Sequence, residues 1–136
     1  MNSESTAPRP YALVVDDEGL IRMDAADILE QAGFRTLEAP TGDKALELLR
    51  QHHQEVALLF TDVQMPGEHD GFALARRTAD AYPHISIVVA SGRIEPGPDD
   101  MPEGARFIAK PFSAEIVHRH LQEVLPDEHK PAPLKT

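Results

Sequence analysis

The chain of 136 residues has no cysteine and no tryptophan, and aromatic residues make up only 5% of it. Without thiols, disulfide staples, thiolate nucleophiles and cysteine-based zinc sites are excluded, and the pattern agrees with a reducing, cytoplasmic setting. Basic charge is scarce as well: 13 Lys and Arg face 23 Asp and Glu, for a formal net charge of -10. So acidic a surface does not gather phosphate backbones or anionic lipid. Direct nucleic-acid binding is therefore not expected, and cations and basic protein faces are the natural counterparts. No apolar run approaches the roughly 18 residues needed to cross a bilayer, and the first thirty residues hold no signal-peptide pattern, so membrane insertion is not expected either. A Gly-rich phosphate loop is also missing, because Gly67 and Gly71 fall in no dinucleotide or P-loop pattern.

What is present describes one compact domain. With 41% apolar and 26% charged residues the composition is that of a soluble globular protein, and the length suits a single core. Residues 1–8 are small and polar, and residues 126–136 set Pro126, Pro131 and Pro133 among charges. Both read as flexible tails around a folded unit spanning residues 9–125. Within that unit Ala12–Val15, Val56–Phe60 and Ile85–Ala90 are nearly continuous apolar runs, the character of strands buried on both faces. Phe34–Glu38 and Ala105–Ala109 are more mixed and suit edge strands.

Amphipathic stretches separate the strands. Ile21, Ala25, Ile28, Leu29 and Ala32 form one apolar stripe at helical spacing, closed by Gly33. Thr41, Asp70 and Ser113 stand where N-caps are expected. The inner faces that follow carry Ala45, Leu48 and Leu49; then Leu74, Thr78, Ala81 and Tyr82; then Val117, Leu121, Val124 and Leu125. The fourth connection, residues 94–104, contains Pro96, Gly97, Pro98 and Pro102. Each internal proline costs a helix about 3 kcal/mol, so a short or broken helix is expected there. The alternation predicts an α/β fold: a flavodoxin-like, doubly wound, five-stranded parallel sheet in the order 2-1-3-4-5, with an irregular or shortened fourth helix.

In such a sheet ligands bind beyond the carboxyl ends of the strands, where strand order reverses. The first strand runs into Asp16, Asp17 and Glu18, and the third ends at Thr61 and Asp62, so three acids are expected in one cleft. Clustered carboxylates repel, and an oxygen-only set is best relieved by Mg2+ or Mn2+. Ser91, followed by unobstructed Gly92, ends the fourth strand, and Lys110 ends the fifth. They bring a hydroxyl donor and a point cation suited to phosphate. A metal-bridged carboxylate with this support is a competent phosphoryl acceptor, and its product is an aspartyl phosphate. Each residue alone has a blander meaning, since an Asp pair after a strand is usually a turn and a lone lysine a solvated charge. Their weight is collective.

Asp16-Asp17, Asp62 with Met65-Pro66 and Asp70-Gly71, Ser91-Gly92 and Lys110-Pro111-Phe112 together resemble a response-regulator receiver domain, over about Tyr11 to Leu125. The resemblance implies Asp62 as the phosphorylated residue, with Asp17, Asp62 and the backbone carbonyl of Gln64 as direct metal ligands and Asp16 acting largely through water. It implies that Ser91 and Lys110 contact phosphoryl oxygens, that the Lys110-Pro111 bond is cis, and that switching couples Ser91 to Phe107, the aromatic three positions before the lysine. Its implied partners are a histidine kinase or histidine phosphotransfer protein and a downstream protein, with a homodimer open to it. Two departures stand out: the loop Met65–Gly71 is one residue longer than the commonest family version, and prolines crowd a connection the family often uses to dimerise or bind outputs.

Two rivals remain beside a signalling module. A metal-dependent phosphatase or phosphotransferase with an Asp nucleophile commonly needs a second acid two residues on, where this chain has Gln64, and a cap for its substrate. A pseudo-receiver that only binds proteins would have no need of the complete set of acids, hydroxyl and ammonium. Among the seven histidines, His52-His53 and His118-x-His120 lack the i, i+4 spacing of a helical zinc site and read as surface.

Overall fold

The structure is a computed structural model that describes residues 9–67 and 70–135; the expected tail 1–8 lies outside the described residues. Five strands, β1 (Tyr11–Val15), β2 (Arg35–Ala39), β3 (Val56–Asp62), β4 (Ser86–Ser91) and β5 (Arg106–Ala109), form one parallel sheet in the order β2-β1-β3-β4-β5. Among the described residues four helices connect or follow them: α1 (Gly19–Gln31), α2 (Gly42–His52), α3 (Gly71–Ala81) and α4 (Ala114–Val124). This is the expected doubly wound fold and strand order.

Alternation along each strand divides the core in two. Ala12, Val14, Leu58, Phe60, Val88 and Ala90 face α1 and α4, while Leu13, Val15, Leu59, Ile87 and Val89 face α2 and α3. A strand covered on both sides must be apolar at every position, and β3 is buried along its whole length. The mixed strands β2 and β5 lie at the edges, where one flank meets solvent. The three expected caps form: Thr41 accepts from Lys44 N–H, Asp70 from Ala73 N–H and Ser113 from Ile116 N–H. Each satisfies an amide that the helix itself cannot pair. In α3 the inner face is Phe72, Leu74, Ala75 and Thr78, and Ala81, expected on it, is exposed in the last turn.

Two segments differ from expectation. The fourth connection carries no helix at all, not even a short one: residues 92–105 run as turns, with Gly104 at φ 87°. Proline lacks the amide that would pair with the preceding turn, so local bonds replace helical ones. Gly97 N–H donates to Asp100 Oδ2 at 2.7 Å, and Arg76 on α3 donates to the Asp100 carbonyl at 2.7 Å. Ile94 and Met101 then pack against the α2/α3 side of the core.

The C-terminal segment, expected to be a flexible tail, folds back onto the domain through two 3-10 turns, Asp127–His129 and Ala132–Leu134. Leu134 is 3% exposed among α1 and α4 residues, and its carbonyl accepts from Gln122 at 3.4 Å. The seat for this segment is Gly33, which ends α1 at φ 108° and whose missing Cβ would lie 2.9 Å from Pro133 Cδ. Leu134→Ala is expected to cost about 2–5 kcal/mol in urea unfolding, the range for truncating a buried leucine. A change below about 0.5 kcal/mol, typical of surface positions, would return the segment to the status of a tail.

Candidate metal centre

Parallel pairing brings the carboxyl ends of β1, β3, β4 and β5 to one edge, with Val15 beside Thr61, Asp62 beside Ala90 and Ser91 beside Ala109. The residues that leave those ends converge. Asp16, Asp17 and Asp62 each offer a carboxylate oxygen, all within 4.8 Å of one another, the only such group of metal-ligating residues among those described. Lys110 is anchored by its own N–H to the Ser91 carbonyl at 3.0 Å, and its Nζ donates to Asp16 Oδ2 at 2.9 Å and Asp62 Oδ1 at 3.0 Å. A cleft of about 420 Å3 opens over this group, lined by Asp17, Asp62, Gln64, Ser91 and Lys110, with Arg93 also on its wall.

Burial makes the charges consequential. Asp16 is 4% exposed and Asp62 9%, while Asp17 is open to solvent. Loss of water around Asp62 raises its carboxyl above the ordinary range; the Asp16 charge pushes the same way, against the opposing pull of Lys110. For Lys110 burial works to lower the ammonium, but the hydrogen bonds and charges of Asp16 and Asp62 outweigh it, and it is held above its usual value. Three carboxylates against one ammonium leave a formal charge of -2, from 1 - 3. The donors are all oxygen, so the arrangement fits a hard divalent cation.

Other parts of the site have defined settings. Asp16 Oδ1 accepts from Glu18 N–H at 2.9 Å, a local bond that stands in for the side-chain cap α1 lacks. Ser91 is 4% exposed, and its Oγ accepts from Arg93 and Ile94 N–H at 3.3 and 3.1 Å, which leaves its hydroxyl proton free to donate. The Lys110–Pro111 bond is cis. Phe107 stands apart from the cleft: it is half-buried on β5 beside Val89 and packs against the α2/α3 side of the core. Glu68 and His69 of the long loop after β3 lie outside the described residues. His118 hydrogen-bonds the Ile28 carbonyl at 3.2 Å, and His53 stacks on Tyr82 at 4.7 Å, so both pairs named above have a member in packing between elements.

One contributor went unnoticed in the sequence. Arg22 Nη1 donates to the backbone carbonyl of Asp16 at 2.7 Å. A signal was available, since a cation in the first turn of a helix runs against the macrodipole and calls for a specific partner.

Comparison with known proteins agrees with this fold. The family model for the response regulator receiver domain matches residues 12–122. The chain is 34% identical over 116 residues to the sensor kinase CckA of Brucella abortus, covering 83% of this chain but only 12% of that protein. It is 31% identical over 116 residues to the response regulator receiver protein CpdR of the same organism, covering 83% of this chain and 94% of that one. Among solved structures, the receiver domain of the hybrid histidine kinase CckA superposes with a TM-score of 0.73 at 28% identity, over 85% of this chain and 99% of that one. A receiver domain protein from Clostridium thermocellum gives 0.73 at 25% identity, over 85% and 93%.

Proposed function

The chain belongs to the response regulator receiver domain family, the phosphoacceptor signalling modules of two-component systems, and we propose that in this member Asp62 takes the phosphoryl group from a histidine kinase or a histidine phosphotransfer protein. The observation that carries this reading is the Lys110 ammonium, which joins Asp16 and Asp62 across sequence separations of 94 and 48 residues at the floor of one cleft. Of the two buried acids, Asp62 lines that cleft, whereas Asp16 has both oxygens engaged, by Glu18 N–H and Lys110.

In the transfer, an oxygen of Asp62 attacks phosphorus and the P–N bond of the phosphohistidine donor breaks. The leaving imidazole keeps the bonding pair, and Asp62 becomes a mixed anhydride. Lys110 balances charge on one equatorial oxygen, and Ser91 donates its free proton to another. Mg2+ or Mn2+ would be held by Asp17, Asp62 and the Gln64 carbonyl, with Asp16 acting through water, and when bound supplies the remaining positive charge. Gln64, where phosphatases of this chemistry commonly carry a second acid, favours an acceptor of phosphate over an enzyme that turns substrate over. No helix among the described residues is long and apolar enough to cross a membrane. The cytoplasm is the setting we propose for the exchange.

The test is incubation with acetyl phosphate and Mg2+, followed by analysis for one hydroxylamine-labile phosphate. Labelling that needs the metal supports the reading; turnover of unrelated phosphoesters would favour an enzyme. The response is proposed to run from Ser91 to Phe107. Because Ser91 also anchors the turn at Arg93 and Ile94, its movement toward phosphate would disturb the neighbourhood in which Phe107 packs. Phosphorylation is expected to shift the Phe107 ring signals in NMR spectra, and unmoved signals would break that link.

A further inference from the structure

Asp17 is the exposed carboxylate of the three, so burial does little to hold it, and its aim comes from the backbone that carries it. The carbonyl of Asp16 and the N–H of Asp17 belong to one planar peptide unit. A bond that fixes this carbonyl therefore fixes the direction in which Asp17 leaves the strand. Arg22 makes that bond at 2.7 Å through Nη1, and its Nε donates to Glu38 Oε1 at 3.0 Å at the end of β2. The flanking backbone is held as well: the Asp16 N–H, in the preceding peptide unit, donates to the Ala39 carbonyl at 3.1 Å, and the Arg22 N–H to the Glu18 carbonyl at 2.9 Å. The Asp16 carbonyl is thus held through Arg22, which is itself tied to β2 by Glu38 and to the first turn of α1 by its own N–H. A guanidinium suits the task because its donors point in fixed directions, so that orienting one by Glu38 also aims the other. Arg22 side-chain exposure is 21%, and the bond to Asp16 is partly sheltered from water.

We propose that Arg22 is a positioning residue that locks the Asp16–Asp17 peptide and so keeps Asp17 in its metal-binding direction, with Glu38 orienting the guanidinium. The proposal rests on the reading that Asp17 and Asp62 hold the metal. Residues that orient ligands from behind are typically worth about 10- to 100-fold in metal affinity. Mn2+ titration followed by the electron paramagnetic resonance of the free ion, beside urea unfolding in EDTA, separates the two ideas. A wild-type protein that binds no Mn2+ overturns the metal reading and this proposal with it. Given wild-type binding, Arg22→Met is expected to weaken it by about 10- to 100-fold while the EDTA unfolding midpoint stays close to wild type. Arg22→Lys, which can reach one partner but not both, should fall between, and Glu38→Gln should lose less than Arg22→Met. Wild-type affinity in Arg22→Met overturns the proposal, as does a loss of affinity matched by loss of structure in EDTA. Should Arg22→Met fail to fold, Arg22→Lys and Glu38→Gln decide, and wild-type affinity in both overturns it.

Discussion

Asp62→Asn is expected to take up no phosphate from acetyl phosphate and Mg2+ under conditions that label the wild-type chain stoichiometrically, and to be the more stable of the two in EDTA. The first effect follows from chemistry: an amide oxygen is a poor nucleophile toward phosphorus, while the shape of the side chain is kept. The second follows from the charges. Burial, and after it the Asp16 carboxylate, raise the Asp62 carboxyl above its unfolded value despite the pull of Lys110. A carboxyl raised on folding makes its favourable contribution when protonated, below the unfolded value, and that contribution is lost as pH rises through the folded one. At neutral pH the ionised Asp62 therefore opposes folding, and Asn removes the opposition. The advantage of Asn should be full above the raised folded value and shrink as pH falls toward the unfolded carboxylate range. Mg2+ should reverse the order, since a ligand at 100 times its Kd stabilises the chain that binds it by about 2.7 kcal/mol, and Asp62→Asn should gain little. Urea midpoints with EDTA and with Mg2+ read both. A labelled Asp62→Asn would place the acceptor elsewhere, and an Asn chain less stable in EDTA would contradict the account of the buried charges.

The parts of this molecule legible in the sequence are those written in local chemistry. Val56–Phe60 reads as a central strand because burial on both faces leaves no room for polar positions until the carboxyl end, where Thr61 and Asp62 complete β3. Thr41, Asp70 and Ser113 announce their helices because each cap bonds an amide three residues away. The convergence of Asp16, Asp17, Asp62, Ser91 and Lys110 could be anticipated because parallel strands deliver their ends to one edge. What escaped depends on distant or anonymous partners. Leu134 is one apolar residue among prolines, and it packs among α1 and α4 residues in a segment whose Pro131 and Pro133 sit against Gly33, about a hundred positions earlier. The cation of Arg22 in the first turn of α1 signals that a partner is needed, but that partner is a backbone carbonyl, a group that every residue carries. In the fourth connection the prolines showed that a helix would be compromised, but not that Gly97, Asp100 and Arg76 could supply enough other bonds to dispense with it.

Gly71→Ala is expected to cost about 3 kcal/mol or more, the upper end for overpacking, and to suppress phosphate labelling with it. The reason is space rather than backbone conformation, because Gly71 has no positive φ among the described glycines. A Cβ there would meet the Asp62 carbonyl carbon at 2.7 Å and Val63 Cα at 2.8 Å, with the Asp62 carbonyl oxygen closer still. These are backbone atoms, which cannot rotate aside as a side-chain end can. The Gly71 N–H also donates to the Val63 carbonyl at 2.8 Å, so the start of α3 is tied to the very residues it would strike. To admit a methyl group, either α3 must retreat and lose that bond, or the end of β3 must move and carry Asp62 away from Lys110. Against a total stability of about 5–15 kcal/mol, either response is large. Gly97→Ala makes the comparison, since its Cβ would meet only the Asp100 carboxylate, Oδ2 at 3.2 Å and Cγ at 3.8 Å, at the end of a movable side chain. That change should stay within about 1 kcal/mol, in the range where loss of unfolded-state freedom already favours alanine. Equal urea midpoints for the two variants would show that the approach of α3 to the phosphoacceptor strand does not constrain the chain. A deep loss in Gly71→Ala alone would mean that the glycine after Asp70 is held by what the chain needs at Asp62.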